Sequence, residues 1–203
     1  MKKLFVASLA VLFVTALLTQ PAAAGVGVKG GLAWPTLAFS SSMEAPALTT
    51  LHTPMGGVYF GIGLGIFSIQ PEILYVRMGA RMEETPDWME DRLDYIQVPL
   101  LLKINVLPGP ISPMIYGGPY GSYLLAAKGV SYISGVTEST DIKDQVKSTD
   151  YGVTFGGGID FKLGVKLSAE VRYNLGLANI EKNPSAGEWV KNRCLMVLVG
   201  IGF

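Results

Sequence analysis

Residues 166–177 read KLSAEVRYNLGL, and the strict alternation in this stretch decides the fold class. Successive side chains of a β-strand point to opposite faces. One face is apolar and consists of Leu167, Ala169, Val171, Tyr173 and Leu175. The other face is polar and consists of Ser168, Glu170, Arg172 and Asn174. The stretch therefore predicts an amphipathic strand that separates two different environments.

The same two-residue period recurs in short, glycine-rich and β-branched segments along the chain. Eight strands are predicted, at about residues 26–34, 55–66, 68–79, 93–107, 111–126, 150–163, 166–177 and 192–203. Tight turns are predicted near residue 67 and at residues 107–110 and 163–165, and long loops at residues 35–53, 81–92, 127–149 and 178–191. Long and short connections alternate, which gathers all long loops at one end. This layout predicts an all-β, eight-stranded antiparallel up-and-down transmembrane β-barrel.

The polar faces of the strands indicate that the inside of the predicted barrel is polar and that its outside is apolar. They carry many glycines, which suit the narrow lumen of an eight-stranded barrel, at positions 61, 63, 65, 156 and 158. They also carry charges of both signs that can pair across the lumen, namely Lys29, Glu72, Lys103, Asp160, Lys162, Glu170 and Arg172. Unpaired, each of these charges would be costly to bury. The large apolar side chains then face lipid.

The chain ends on the apolar run MVLVGIGF (196–203), with no polar segment after it. Lipid would cover one face of this run, and Gly200 and Gly202 would face the lumen. The last strand is predicted to pair with the first strand near Val26 and Val28, so that no open edge remains in the membrane.

Aromatic residues are typical of the two membrane interfaces of such barrels. Trp34 ends the first predicted strand and Trp189 precedes the last one. If the barrel closes, these two tryptophans are expected to lie together at the loop end. Phe203 is expected at the opposite interface.

Residues 1–24 predict a cleaved secretory signal peptide. Lys2 and Lys3 precede an apolar stretch, and PAAA supplies the small residues of a cleavage site that ends at Ala24. The barrel domain is then residues 25–203, in the outer membrane with both termini periplasmic. No later segment has the ~20 apolar residues that a spanning helix needs.

Charge and cysteine content exclude two classes of protein. The chain has 16 basic and 16 acidic residues, and loss of Lys2 and Lys3 leaves a slight acidic excess. This balance argues against a nucleic-acid partner, which requires a basic surface. The single cysteine, Cys194, excludes an internal disulfide framework and reads as a small core residue.

Four stretches and the terminal aromatic residue resemble the PorT-like outer-membrane β-barrel proteins of Bacteroidetes-type bacteria, which share the small-barrel architecture of OmpA and OmpX. The stretches are IQPEILYVRMGA (69–80), LDYIQVPLLLKI (93–104), YGVTFGGGIDFKL (151–163) and LSAEVRYNLGL (167–177). The resemblance implies a role in protein secretion or envelope organisation, with a secretion-system or other envelope protein as partner. It also implies that the barrel-assembly machinery reads Val199, Ile201 and Phe203 as a carboxy-terminal signal.

No catalytic, cofactor-binding or metal-binding residues are predicted. The G-x-G-x-x-G at residues 25–30 lacks the preceding strand and following helix of a dinucleotide site. His52 is the single histidine, and neither a metal site nor a pairing with Ser40, Ser41 or Ser42 has a supporting motif.

Acidic residues cluster in the second predicted loop, at Glu83, Glu84, Asp87, Glu90 and Asp91. Their spacing differs from that of an EF-hand, so a solvated acidic loop is favoured over a cation site.

Three functions remain in order of preference. The first is a structural or interaction barrel that presents its long loops to partners. The second is a small-solute channel, although eight-stranded lumens are usually filled by side chains. The third is an outer-membrane hydrolase, which the lone His52 supports poorly, and we expect that the chain is not an enzyme.

Overall fold

The computed structural model describes residues 24–40, 48–64, 66–84, 86–107 and 109–203. The predicted signal peptide, apart from Ala24, lies outside the described residues, as do Ser41, Ser42 and Gly65. Within these ranges no helix is long and apolar enough to cross a bilayer.

In the described part of the chain, ten β-strands form one antiparallel sheet. Eight of them are long: β1 (Ala24–Phe39), β3 (Thr53–Leu64), β4 (Phe67–Glu84), β5 (Asp87–Asn105), β6 (Ile111–Ile133), β8 (Thr149–Leu163), β9 (Val165–Gly176) and β10 (Val190–Gly202). The two short strands are β2 (Leu48–Thr49), which pairs with β4, and β7 (Val136–Asp141), which pairs with β6.

The eight long strands close into a ring. Each pairs with its neighbour in the chain, and β10 pairs back onto β1. At this seam Val28 lies opposite Ile201. The backbone N–H of Phe203 donates to Val26 O (2.9 Å), and that of Val26 donates to Phe203 O (3.2 Å). The predicted all-β, eight-stranded up-and-down barrel is confirmed.

The ring has two different ends. The short-turn end holds the connections β3–β4, β5–β6 and β8–β9, together with Ala24 and Phe203. The loop end holds the connections β1–β3, β4–β5, β6–β8 and β9–β10. Successive connections therefore alternate between the two ends of the ring, as the sequence predicts.

The prediction of a long loop at residues 81–92 is wrong. β4 and β5 continue as a hairpin past the barrel wall, with Arg77 opposite Asp94 and Arg81 opposite Glu90. The physical reason is that pairs of opposite charge stabilise neighbouring strands in water, where no apolar face is needed. Apolar alternation marks the part of a strand in lipid and misses its extension.

The prediction of a long loop at residues 127–149 is also wrong over much of its length. β6 continues to Ile133 and turns back as β7 through Ser134 (φ 51°) and Gly135 (φ 87°). Positive φ at both central residues is the mark of a type I′ hairpin turn, whose twist matches that of the flanking strands.

Side chains on the outer wall of the ring form an apolar band. Those of Val28, Phe155 and Val199 are 51%, 51% and 64% exposed, although they lie mid-strand. Toward the loop end the band stops on β4 at Tyr75, and the next outward residue, Arg77, forms an ion pair with Asp94 of β5 (2.6 Å). The band defines the membrane-spanning part of the barrel.

Candidate functional site

A layer of buried charges crosses the middle of the lumen, and we name it the charged layer. It comprises Lys29 of β1, Glu72 of β4, Lys103 of β5, and Glu170 and Arg172 of β9. Each of these residues is at most 4% exposed. Each projects inward because it shares the parity of the polar face of its strand.

Two carboxylates hold the three cations of the charged layer together. Lys29 Nζ donates to Glu72 Oε1 (2.7 Å) and to Glu170 Oε1 (2.6 Å). Arg172 Nη1 donates to Glu72 Oε2 (2.7 Å), and Nη2 donates to Glu170 Oε2 (3.2 Å). Lys103 Nζ lies 3.5 Å from Glu170 Oε1. The four strands that contribute these residues are therefore tied together across the lumen.

Neighbouring polar and aromatic groups complete the charged layer. Gln70 accepts a hydrogen bond from Lys103 Nζ (3.1 Å) and donates one to Glu72. The guanidinium of Arg172 lies 5.2 Å from the ring centroid of Tyr116, and Lys29 Nζ lies 4.9 Å from that of Tyr59. Such cation–π contacts add stabilisation to buried cations. The layer is filled by side chains that satisfy one another.

The two other predicted lumen charges do not join this network. Asp160 is buried but pairs with Lys166 (2.8 Å), which the prediction omitted. Lys162 is exposed at the short-turn mouth. Lys166 has the same parity as Ser168 and Glu170, so the sequence pattern could have predicted that it points into the lumen.

A second polar layer lies on the loop side of the charged layer. Asn174 Nδ2 donates to Gln97 Oε1 (2.8 Å), and Gln97 Nε2 donates to Ser122 Oγ (3.2 Å). Asn192 Nδ2 donates to Asp150 Oδ2 (3.0 Å). Most of these residues are amides or hydroxyls, so this layer is polar with little charge.

Two cavities lie at opposite ends of the lumen. The one at the short-turn end measures about 370 Å³ and is lined by Tyr59, Asp160 and Lys166 among others. The one at the loop end measures about 380 Å³ and is lined by Leu37, Leu93 and Ile180 among others. The charged layer stands between them.

The model of the family described as "Outer membrane protein beta-barrel domain" matches residues 19–182. This chain belongs to that outer-membrane β-barrel family. The match spans most of the chain and agrees with the closed ring and its apolar outer band. The barrel is therefore an outer-membrane barrel.

Three solved structures are similar to the barrel, and the first of them shares its fold. Neisserial surface protein A superposes with a TM-score of 0.51 at 14% identity, over 89% of this chain and 96% of that one. OprG from Pseudomonas aeruginosa gives 0.47 at 15% identity, over 89% and 96%. Ail of Yersinia pestis gives 0.44 at 13% identity, over 88% and 98%. No functionally curated protein matches the sequence.

The two tryptophans of this outer-membrane barrel are not neighbours. Trp34 lies opposite Leu195, whereas the carbonyl of Trp189 accepts a hydrogen bond from the backbone of Ser40 (3.0 Å). The first strand, which was predicted to end at Trp34, continues through Pro35 to Phe39. Pro35 lies at a position of β1 that donates no hydrogen bond to β10, and β3 begins opposite Ala33, so its missing N–H costs nothing.

The three predicted interface aromatics lie in different environments. Trp34 meets His52 edge-on, with ring centroids 6.0 Å apart. Lys191 Nζ lies 4.5 Å from the ring centroid of Trp189. Phe203 is 75% exposed at the short-turn end.

The acidic cluster belongs to the β4–β5 hairpin and is partly neutralised. Glu90 is buried and bonded by both Arg81 and Arg92. Burial acts to raise the pKa of Glu90, but the hydrogen bonds and charges of Arg92 and Arg81 outweigh it and hold that pKa below its usual value. Among the described residues, no group of three His, Cys, Asp or Glu is placed to hold a metal ion.

The remaining chemically versatile residues lie apart from one another. Cys194 is buried in the lumen wall. His52 lies on the outer surface beside Trp34, and residues 25–30 form part of β1. Among the described residues, Cys194 and His52 therefore lie on opposite sides of the barrel wall.

Proposed function

We propose that this outer-membrane barrel does not conduct solutes and acts instead as an interaction protein through its loop end. The observation that carries the proposal is the charged layer. Its five side chains are ion-paired at 2.6–3.5 Å, and all are buried in the middle of an eight-stranded lumen. Aqueous channels are found in barrels of 16–18 strands, whereas eight-stranded lumens are filled.

The proposed orientation places the short-turn end in the periplasm and the loop end at the cell surface. Short periplasmic turns and longer outer loops are general in this class of barrel. With the predicted signal peptide removed, both termini would be periplasmic. Val199 faces outward on the last strand and Phe203 is exposed at its short-turn end, which would leave both accessible to assembly machinery during insertion.

The proposed interaction surface consists of the β4–β5 hairpin and the β6–β7 hairpin. Both extend beyond the apolar band, and all residues of β7 are exposed. Trp88 and Tyr132 stack across the hairpins with ring centroids 6.0 Å apart, which gives the projection an ordered aromatic surface. The PorT-like resemblance suggests an envelope or secretion-system protein as partner.

Conductance in planar bilayers tests the sealed lumen. We expect the purified wild-type barrel to give no stable current steps, while the Arg172→Ser/Lys29→Ser variant, which removes two cations from the charged layer, gives measurable current. Stable steps from the wild-type protein would support the small-solute channel instead.

In-cell photo-crosslinking tests the interaction surface. A photoreactive residue at Thr137 on β7 is expected to capture an envelope protein that one at lipid-facing Val171 does not. Equal products from both positions would contradict the proposal. The expectation that the chain is not an enzyme is tested separately, by comparing hydrolysis of ester and peptide substrates by the wild type and His52→Ala.

A further inference from the structure

The loop end of the lumen contains a preformed cavity of about 380 Å³. Leu37 of β1, Leu93 of β5 and Val190 of β10 line its barrel side. Residues from two connecting segments line the other side, namely Ile142, Val146 and Ile180. The cavity therefore has an apolar part formed by six residues, while Gln145 and Asn183 are among its polar lining.

The two connecting segments are held together by backbone hydrogen bonds. The N–H of Lys147 donates to Ile180 O (2.8 Å), and that of Lys182 donates to Gln145 O (3.0 Å). The N–H of Ile180 donates to Val190 O (2.9 Å), which fastens both segments to the start of β10. The shape of the cavity is thus set by paired backbone.

Three acidic residues also line this cavity: Asp91 and Asp144, which are exposed, and Glu181, which is partly buried. No Lys or Arg is among the described residues that line it. The Oε2 atom of Glu181 is buried and has no hydrogen-bond partner within the described chain. The nearby cation Lys143 is engaged elsewhere, since its Nζ donates to Leu125 O (2.8 Å).

We infer that this cavity binds a small amphiphilic amine, with its apolar chain or ring against the walls and its ammonium group on the carboxylates. The volume lies within the usual range of about 300–1,000 Å³ for small-molecule sites. An ammonium group would supply the missing donor to Glu181, and the negative charges of Asp91 and Asp144 on the same cavity would attract it. A carboxylate ligand would be repelled, and a neutral one would leave the charge of Glu181 uncompensated.

Methyl NMR of isoleucine-labelled barrel in phosphatidylcholine nanodiscs tests the inference with three probes. 2-Phenylethylamine, 2-phenylethanol and 3-phenylpropanoate share an aromatic ring and differ in charge. The amine is expected to shift the methyl signals of Ile142 and Ile180 saturably, the alcohol more weakly and the carboxylate hardly at all. Lipid-facing Ile73 and Ile159 report any partitioning into the bilayer.

Two variants separate the charge contribution from the apolar one. The variant Asp91→Asn/Glu181→Gln is expected to weaken binding of the amine about tenfold and to leave binding of the alcohol unchanged. The control is Glu138→Gln, which removes an exposed acid on β7 and is expected to change the binding of neither probe. Val190→Phe is expected to abolish the Ile142 and Ile180 shifts with every probe. Equal shifts from the amine and the carboxylate, or shifts of Ile73 as large as those of Ile180, would overturn the inference. Gel mobility before boiling verifies that each variant is folded.

Discussion

At the scale of single residues, the charged layer is stable because each of its charges meets an opposite one. Arg172 contacts both Glu72 and Glu170, and Lys29 contacts the same pair. Desolvating an ion is costly, and only close pairing with further hydrogen bonds compensates that cost. Removing one carboxylate leaves three cations with a single anion.

We therefore predict that Glu72→Gln destabilises the barrel by about 3–5 kcal/mol, the usual cost of leaving a buried charge without its partner. The free energy of unfolding, measured by urea titration in lipid vesicles, checks this. Glu138→Gln on exposed β7 is the matched control and should change it by less than about 0.5 kcal/mol. An equally small change in the free energy of unfolding for Glu72→Gln would contradict the ion pairing of the charged layer.

Residue parity predicted which side chains enter the lumen but not which of them meet. Glu72, Glu170 and Arg172 lie on the polar parity of β4 and β9, and all three are buried together. Parity carries no information on depth, which depends on the register between strands. Asp160 and Lys162 were therefore predicted together with the residues of the charged layer, although they lie at the short-turn mouth of the lumen.

At the scale of elements, the seam between β1 and β10 depends on close backbone approach. A Cβ atom at Gly31 would lie 2.0 Å from the carbonyl oxygen of Val197, which belongs to the backbone of the facing strand. At the adjacent Gly30 the nearest atom would be the carbonyl oxygen of Met55 at 3.7 Å, an ordinary contact.

Gly31→Ala should consequently destabilise the folded barrel by about 1–3 kcal/mol, as overpacking does. Gly30→Ala should be tolerated at a cost of under about 1 kcal/mol. Heat-dependent gel mobility and urea titration measure both variants. Equal stability of the two would show that the seam does not have this spacing.

The β4–β5 hairpin is predicted to loosen in acid. The pKa of Glu90 is lowered in the folded state, so its stabilising contribution is complete above its unfolded pKa and is lost as the pH falls through its folded pKa. Amide NMR signals of residues 81–84 and 87–92 should broaden or shift as the pH is lowered from neutral to below about 4. In Glu90→Gln the signals of Arg81 and Arg92, the two partners of Glu90, should already be shifted at neutral pH. Unchanged signals there, together with a titration identical to that of the wild type, would contradict the assignment to Glu90.

The strands were predictable where lipid imposes apolar alternation and less so beyond it. The predicted span 166–177 differs from β9 by one residue at each end. By contrast, β4 extends five residues and β5 extends six residues past the predicted loop-side ends. The added residues include Arg81, Glu83 and Glu90. In water, charge pairs and turn geometry determine strand length, and a hydrophobic pattern does not report them.

At the scale of the whole molecule, the outer-membrane barrel has a lumen whose middle is filled by the charged layer, and it has a cavity at its loop end. The closed ring and the polar lumen were evident from the sequence, because a membrane permits no open strand edge. The loop-end cavity was not, since it arises where Val146 and Glu181, from distant connections, pair beside Val190. Such contacts between loops leave no periodic signal.

The most direct test of the closed barrel uses the native Cys194. Pro35 lies directly opposite Cys194 across the β1–β10 seam, at a pair of positions that exchanges no backbone hydrogen bonds, where side chains approach most closely. Ala33 lies opposite Met196 and is therefore one diagonal step away from Cys194.

The measurement is a free-thiol assay of Pro35→Cys and Ala33→Cys after mild oxidation of the folded, membrane-inserted protein. We predict that Pro35→Cys loses both thiols within one chain and migrates faster than its reduced form on boiled, non-reducing gels, whereas Ala33→Cys keeps both thiols. Retention of both thiols in folded Pro35→Cys, or disulfides formed only between chains, would contradict a barrel closed by β1 and β10 in this register.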